Sequence, residues 1–335
     1  MDMRQYRRCL IGLLLVSLAG LGVLGYREIR DGIPDSYTQT EGEPGPKYSG
    51  FFVTQEIKPG LAEASANAYG TGNYTIAYKL LGIIPLKEVQ VEVLKPAYVI
   101  PGGVPIGIYM ETEGILIIGT GEVTGVDGLN YEPAYRIVQR GDYIQAVNGQ
   151  AVSDKEELIE AVNAGGSQDV ILDLDRGGEE IQVRVEAVQT GQEEYKLGIW
   201  VRDNTQGIGT LTFLTESGSF GALGHGVNDV DTGTLLEISK GALYDTNIID
   251  IKKGEKGSPG ELSGLIRYRE ELICGALTEN TPVGIFGTGE DRIYEKVEGE
   301  SLQVGYKQEI QTGEAFVRSA VSGEIKDYRV EILEV

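Results

Sequence analysis

The sequence predicts a mainly β protein with a small α+β domain and an N-terminal transmembrane helix. Its 335 residues include 48 glycines and 18 tyrosines, a composition typical of short strands and turns. Near the C-terminus, strand-like segments and turns recur at a spacing of roughly 8 to 12 residues, which favours a β barrel or sandwich. A single long apolar run stands apart at the N-terminus.

Residues 1–30 are expected to form a membrane anchor. The segment from Cys9 to Tyr26 carries no charge over 18 residues, which at about 1.5 Å per helical residue nearly crosses a hydrocarbon core. Arg4, Arg7 and Arg8 precede it and favour a cytoplasmic N-terminus, with the bulk of the chain across the membrane. A cleaved signal peptide is the alternative, but no A-x-A-like site ends the run.

The next two segments differ in pattern. Residues 31–47, "DGIPDSYTQTEGEPGPK", are rich in proline, glycine and polar residues, and we expect them to be a linker. Residues 48–98 show strand patterns, clearest in "KEVQVEVL", where Val89, Val91 and Val93 alternate with polar residues. This pattern predicts a small β module.

Composition also restricts the partners and cofactors. The sequence has 29 basic and 51 acidic residues, for a net charge of −22, which repels phosphate backbones and excludes nucleic acid as a partner. A single histidine cannot form a histidine-rich zinc site. We therefore predict neither a metal nor another cofactor. The only two cysteines, Cys9 and Cys274, predict no disulfide, and the apolar surroundings of Cys274 indicate a small core residue.

A helix follows a strand-like motif within residues 99–190. Ser153 and Glu156 are spaced as a capping box, and Leu158, Ile159 and Val162 then form an apolar helical stripe. Together with "GDYIQAVNG" at 141–149, this pattern is similar to PDZ domains. The resemblance implies that an extended peptide adds as a strand beside a glycine-containing loop.

We place that PDZ loop near "VPIGI", with Ile106, Gly107 and Ile108 as the peptide-binding residues. A PDZ fold that serves only as a rigid spacer is the alternative, because a fold alone does not prove binding.

The stretch "GALGHGVNDVDTG", residues 221–233, holds the only histidine of the chain, His225. We expect it where a strand meets a loop. The bare glycine backbone around it would let a substrate approach closely, and imidazole exchanges protons near neutral pH, which suits a general base. A structural histidine and a metal ligand are the alternatives. Asp229 and Asp231 are expected to shape the loop by bonding backbone amides.

Four stretches in the C-terminal part carry a second resemblance: "GIWVRDNTQGIGTLTF", "GALGHGVNDVDTG", "KGSPGELSG" and "VGIFG". Behind an anchor and a PDZ-like segment, they resemble the stage IV sporulation protein B family of serine peptidases. The resemblance implies that residues 195–335 form a peptidase domain related to the chymotrypsin-like double β-barrel. It also implies that His225 is the general base of a Ser-His-Asp triad.

The sequence departs from the family at the other triad residues. The family's Gly-Met-Ser-Gly-Ser-Pro motif and the aspartate upstream of it are not found among the 335 residues. We therefore expect an incomplete peptidase domain, truncated at the C-terminus and inactive as given. Ser258, in "EKGSPGE", is not expected to be the nucleophile, because Pro259 and Gly260 indicate a turn.

The family resemblance further implies a function and a location. It implies an endopeptidase of endospore formation that cleaves itself and a regulatory membrane protein, so that a mother-cell sigma factor is activated. The bulk of the chain would lie between the two membranes around the forespore and be released by self-cleavage. The partners would be protein substrates and peptide ligands of the PDZ domain. The alternatives are a non-catalytic, membrane-anchored PDZ adaptor and a tethered component of the spore envelope.

Overall fold

The computed structural model describes residues 3–46, 48, 52–59, 72–166 and 169–335. Strands account for 52% of the structure and helices for 17%, which confirms a mainly β protein. The chain divides into two units. One holds Met1–Ala97, Gln303–Gly313 and Ile332–Val335, and the other holds Tyr98–Leu302 and Glu314–Glu331.

The first unit combines a long helix with a four-stranded sheet. Helix α1 is long and apolar enough to cross a membrane. The sheet order is β1-β4-β3-β2, with β1 parallel to β4 and the other pairs antiparallel. The elements are α1 (Met3–Asp31), β1 (Ser36–Thr40), β2 (Val53–Pro59), β3 (Gly72–Leu80) and β4 (Ile84–Leu94). Valines at alternate positions of β4 are buried in its core, as the alternation predicts.

The prediction of a linker over residues 31–47 is wrong for its central part. Ser36–Thr40 is strand β1, and its backbone pairs with residues 90–94 of β4. Gln39 and Thr40 are buried, and the hydroxyl of Tyr74 donates to Oε1 of Gln39 over 2.7 Å. Polar side chains satisfied by hydrogen bonds can occupy a buried strand, so composition alone did not reveal it. Lys47, the last residue of the predicted linker, lies outside the described residues.

The second unit contains most of the strands. Its elements are β5 (Tyr98–Thr120), β6 (Val123–Thr124), β7 (Asn130–Tyr131), β8 (Tyr143–Val147), β9 (Gln150–Ala151), α2 (Lys155–Gly165), β10 (Asp169–Asp175), β11 (Glu180–Glu186), β12 (Val188–Gly191), β13 (Glu194–Lys196), β14 (Ile199–Thr215), β15 (Ser219–Ala222), β16 (Ile238–Tyr244), β17 (Thr246–Lys252), β18 (Glu261–Ile266), β19 (Ile273–Thr281), β20 (Gly284–Gly289), α3 (Asp291–Lys296), β21 (Leu302–Gln303), β22 (Gly313–Ser319) and β23 (Lys326–Ile332). One terminal residue of each of β21, β22 and β23 is assigned to the first unit.

Six of these strands close into an antiparallel barrel. The order runs β5-β14-β15-β20-β19-β16, and β16 returns to pair with β5. Closure removes the free sheet edges that would otherwise invite association. Alternate side chains fill the interior, which is lined by Val104, Ile106, Ile108, Met110, Leu211, Phe220, Leu243, Cys274, Leu277 and Ile285. This barrel provides the frame for the loop that carries His225.

Strands β5 and β14 extend beyond the barrel into a second, α+β core. The residues of this α+β core include Ile115, Ile117, Ile144, Leu158, Val162, Leu172 and Val185. The range 99–190 predicted for the PDZ domain therefore begins inside the barrel, because residues 104–110 of β5 pack in the barrel and residues 115–117 pack in the α+β core. One continuous strand serves both.

The N-cap of helix α2 lies one residue later than predicted. Asp154 is the N-cap, and its side chain accepts from the backbone N–H of Glu157 over 2.8 Å. Glu157 in turn accepts from the backbone N–H of Ser153 over 2.8 Å, so Glu156 takes no part in the cap. Leu158 and Val162 are buried, while Ile159 is 55% exposed.

Candidate functional site

His225 lies on the loop that follows barrel strand β15. Leu223 and Gly224 have φ values of 71° and 97°, and these left-handed residues turn the chain away from the strand. The prediction that the histidine lies where a strand meets a loop is thus confirmed. The closed barrel provides a rigid base at this position, since Gly221 and Ala222 pair with β14 on one side and with β20 on the other.

The ring of His225 is exposed, and one of its nitrogens is engaged. Nδ1 lies 2.9 Å from the carbonyl oxygen of Gly226. A carbonyl oxygen can only accept a hydrogen bond, so in the neutral ring Nδ1 carries the proton and Nε2 carries the lone pair. That tautomer is the one a general base uses when Nε2 takes a proton from a nucleophile.

The loop after His225 is shaped by a buried carboxylate. Asp229 is 1% exposed, and its Oδ1 accepts from the backbone N–H groups of Asp231 and Thr232 over 2.9 and 2.8 Å. This confirms that Asp229 organises the loop through backbone amides. Arg202, on β14, pairs with Oδ2 of Asp229 and, over 2.7 Å, with Asp231. A buried carboxylate requires such a partner, because an isolated charge is costly to bury.

Asn280, near the end of β19, holds the same loop from its other side. Its Nδ2 donates to the carbonyl oxygens of Val227 and Leu236, each over 2.9 Å. Its Oδ1 accepts from the backbone N–H of Val227 over 2.9 Å. Sequence reasoning missed this residue, although asparagine is depleted in strands and its presence within "ALTENT" was a signal of a side-chain role.

Two glycines of the histidine motif are required by close packing. A Cβ atom at Gly221 would lie 2.4 Å from the ring of Phe213, and one at Gly226 would lie 2.3 Å from Cδ1 of Leu235. Both distances are far below van der Waals contact. The glycines therefore let the loop lie against the barrel, in addition to exposing the backbone around His225.

The structure places Ser258 on a different element from His225. It lies in the exposed connection between β17 and β18, where the backbones of Glu255 and Ser258 exchange hydrogen bonds of 2.8 and 2.9 Å. The predicted turn is present, but its left-handed residue is Gly257, with φ of 85°, and not Gly260. Nothing in this geometry supplies a base to activate the Ser258 hydroxyl.

Cys274 is fully buried in the barrel core, among the apolar residues of β5, β14 and β15. Burial raises the pKa of its thiol to about 11, because the apolar interior disfavours the charged thiolate. The interpretation of Cys274 as a core residue is in accord with this position.

The residues expected to bind peptide lie on barrel strand β5. Ile106 and Ile108 are buried, and the side chain of Ile266 covers Gly107. Residues 107–108 pair with β14 along one edge and with β16 along the other. The prediction of a peptide site at Ile106, Gly107 and Ile108 is therefore wrong, because a strand that is already paired on both sides cannot accept a peptide as a third strand.

A groove suited to an extended chain lies elsewhere in the same unit. It encloses about 460 Å³ between helix α2 and the start of β14, with Ile159 on the helix side and Trp200 on the strand side. Trp200 is 64% exposed. Within the described residues, Ile199–Val201 pairs with β5 along one edge, and no second strand pairs with it along the edge toward α2. The preceding "YKLGI", residues 195–199, has the same apolar-Gly-apolar pattern as "VPIGI" and was the missed signal.

No group of three or more histidine, cysteine, aspartate or glutamate side chains suited to a metal ion occurs in the part of the chain that the structure describes. The candidate site presents one imidazole, on a loop held by Asp229, Arg202 and Asn280.

Comparison with known proteins gives a family match for the C-terminal part of the chain. A search of curated proteins gives no match. Residues 193–335 match the family model described as SpoIVB peptidase S55, a segment that contains His225, Asn280 and all of the barrel strands except β5. The sequence resemblance and the family match agree that residues 193–335 are similar to the SpoIVB peptidase family.

Proposed function

We propose that this chain acts as a SpoIVB-type serine endopeptidase in which His225 is the general base. The observation that carries the proposal is the hydrogen bond between Nδ1 of His225 and the carbonyl of Gly226, which leaves the lone pair on Nε2. In acyl transfer, that nitrogen takes the proton of the serine hydroxyl as its oxygen attacks the scissile carbonyl, and then gives it to the leaving amine.

The proposal assigns only the general base. Neither Asp229 nor Ser258 supplies one of the other two triad roles. Asp229 is not the triad carboxylate, since both of its oxygens are engaged by Arg202 and by loop amides. Ser258 lies on a separate hairpin. The oxyanion hole of such enzymes is formed largely by amides beside the nucleophile, so it belongs with the serine.

An active-site probe tests this assignment. The protein is expressed from its complete reading frame and treated with a fluorophosphonate, which labels only a serine that a base has activated. We expect labelling of the wild type and a loss of at least about 100-fold in His225→Ala. Asp291→Ala, an exposed change on α3, is the control that should label normally. Equal labelling of His225→Ala and the wild type would remove His225 from the mechanism.

We further propose that the groove beside α2 binds extended peptides, in the manner of PDZ domains. The support is the one-sided pairing of Ile199–Val201, the apolar residues Leu158, Ile159 and Trp200, and the glycine turn at Gly198, where φ is 65°. A peptide pairing with β14 would gain backbone hydrogen bonds there, and its side chains would contact the apolar helix face. The same groove would serve the alternative role of a membrane-anchored adaptor.

Substitution of Ile159 tests the groove. Ile159→Lys adds a charge to the apolar wall while leaving the buried residues Leu158 and Val162 in place. We expect binding of an apolar C-terminal peptide library to weaken by roughly 10-fold or more. Ile249→Lys, on β17 and 71% exposed, is the matched control. If both variants bind as the wild type does, the groove is not the peptide site.

The proposed location and targets are supported by the family resemblance and by the N-terminal helix. We propose that α1 anchors the chain with Arg4, Arg7 and Arg8 on the cytoplasmic side, and that the rest lies across the membrane, in the space around the forespore. The proposed substrates are the chain itself, released from its anchor by self-cleavage, and a regulatory membrane protein whose cleavage leads to activation of a mother-cell sigma factor. The helix has the length and apolarity that this anchoring requires.

A further inference from the structure

We propose that Arg202 is a positioning residue that couples the peptide groove to the loop carrying His225, so that a peptide bound in the groove holds this loop in place. This role rests on the proposed groove and extends it, because it gives the groove an effect on the candidate site. Arg202 lies on β14, directly after the segment Ile199–Val201 that borders the groove. Its side chain holds Asp229 and Asp231 of the loop.

One face of β14 meets both the groove and the loop. Trp200 and Arg202 are two residues apart, so their side chains project from the same face of the strand. On this face Trp200 and Asp231 line one cavity of about 540 Å³, and Nη2 of Arg202 pairs with Asp231 over 2.7 Å. The indole that borders the groove and a carboxylate of the loop therefore share a cavity.

The opposite face of β14 holds the helix that forms the other wall of the groove. Val201 packs against the α+β core. Asp203 is buried, and its Oδ2 accepts from the backbone N–H of Lys155, the first residue of α2, over 3.0 Å. Residues 200–203 thus connect the groove strand, helix α2 and the loop.

The pairing of β14 with β5 is interrupted beside Arg202. The register shifts between Arg202 and Asn204, so the stretch beside the groove pairs with β5 separately from the barrel part of β14. Irregular pairing of this kind re-aims side chains near functional sites. A peptide that adds to the free edge of Ile199–Val201 would fix this short stretch, and with it the guanidinium of Arg202.

The guanidinium suits this role because it contacts two carboxylates at once. Nη1 of Arg202 pairs with the buried Asp229, and Nη2 pairs with Asp231. A planar fork held at two points passes a change in the strand to the loop, whereas an ammonium on a flexible stem lacks this fixed geometry. In Arg202→Lys, the positive charge beside Asp229 remains and the fork is lost.

The chain reports occupancy of the groove directly, because Trp200 is its only tryptophan. The full 335-residue chain in detergent micelles is titrated with the tightest-binding member of the apolar C-terminal peptide library, and indole fluorescence gives the bound fraction. Hydrogen exchange of the loop, residues 226–236, is then measured by mass spectrometry without peptide and at saturation. We expect saturating peptide to slow exchange of the loop by roughly 5-fold or more.

Arg202→Lys separates coupling from stability. We expect this variant to bind the peptide, as shown by its indole signal, while exchange of the loop no longer depends on the peptide. Loss of stability alone would speed exchange by the same factor with and without peptide, so the ratio of the two rates identifies the positioning role. Asp231→Asn removes one of the two contacts and leaves Asp229 paired, and it should weaken the response where Arg202→Lys does not fold.

Arg318→Lys is the matched control. Arg318 also holds a carboxylate by two bonds, to Asp327 over 2.7 and 2.9 Å. Its side chain is 25% exposed, as is that of Arg202. Because Arg318 lies on β22, away from the groove, we expect the control to keep the full response of the loop. Circular dichroism identifies the variants that fold.

Two outcomes would overturn the coupling. One is a loop whose exchange is the same with and without bound peptide in the wild type, and the other is a full response in the folded variants Arg202→Lys and Asp231→Asn. An indole signal that does not change with peptide is a different failure, since it would remove the groove as the peptide site and the coupling with it. Failure of the His225 assignment would appear separately, as retained probe labelling in His225→Ala.

Discussion

At the scale of single residues, the thiol of Cys274 reports on the barrel interior. Its side chain is fully buried, and burial raises its pKa to about 11 from an ordinary 9.0. The neutral thiol is therefore favoured in the folded state. This contribution to stability is present below about pH 9 and is lost as the pH rises toward 11.

We expect Cys274 in the folded protein to resist alkylation at pH 8. In a Cys9→Ser background, iodoacetamide should modify it roughly 100-fold more slowly than in urea, because the thiolate fraction and access are both small. The rate is measured by mass spectrometry of the modified chain. Modification at the same rate in native buffer and in urea would show that the barrel core is open.

Sequence reasoning located the histidine but not the residues that hold it. His225 could be found because it is unique and lies among glycines. Arg202 and Asn280 lie 23 residues before it and 55 residues after it, and only the pairing of barrel strands brings them to one loop. Such partners are set by tertiary structure, which a local pattern does not encode.

At the scale of elements, helix α2 shows how accurately the position of an N-cap can be predicted from the sequence. The spacing of Ser153 and Glu156 correctly located the start of the helix. However, Asp154 is the N-cap, and the side chain of Glu157 is the one that accepts from the backbone N–H of Ser153. Capping patterns that overlap by one residue are hard to separate by sequence, since serine and aspartate are both good N-caps.

The structure predicts different effects for the two carboxylates. Asp154→Ala should lower the free energy of unfolding by about 1 kcal/mol, because the N–H of Glu157 loses its acceptor. Glu156→Ala, on an exposed side chain, should change it by less than about 0.5 kcal/mol. Urea unfolding of the two variants measures the difference. A larger loss in Glu156→Ala would favour the cap expected from the sequence.

Strand β15 gives a second test at this scale. A Cβ atom at Gly221 would lie 2.4 Å from the ring of Phe213, whereas one at Gly207, on β14 of the same barrel, would meet nothing within 4 Å. We expect Gly221→Ala to destabilise the protein by about 1–3 kcal/mol through overpacking, and Gly207→Ala to have little effect. Equal midpoints for the two variants in thermal unfolding would contradict the packing described here.

At the scale of the whole molecule, local patterns predicted the classes of structure better than its boundaries. The mainly β composition and the apolar N-terminal helix are confirmed. The barrel could not be placed in advance, since the closing pair joins β5 to β16, more than 100 residues apart in the chain. The peptide site was misplaced because β5 and β14 run through two cores. The pattern of "VPIGI" does not show that both edges of its strand are already paired.

His225 is proposed here as the catalytic base of a SpoIVB-type peptidase. The most direct measurement is cleavage of a protein substrate by the enzyme expressed from its complete reading frame, with His225→Ala compared with the wild type. We expect the wild type to cleave itself and His225→Ala to lose at least about 1,000-fold in rate while keeping its fold. Cleavage by folded His225→Ala at the wild-type rate would contradict it.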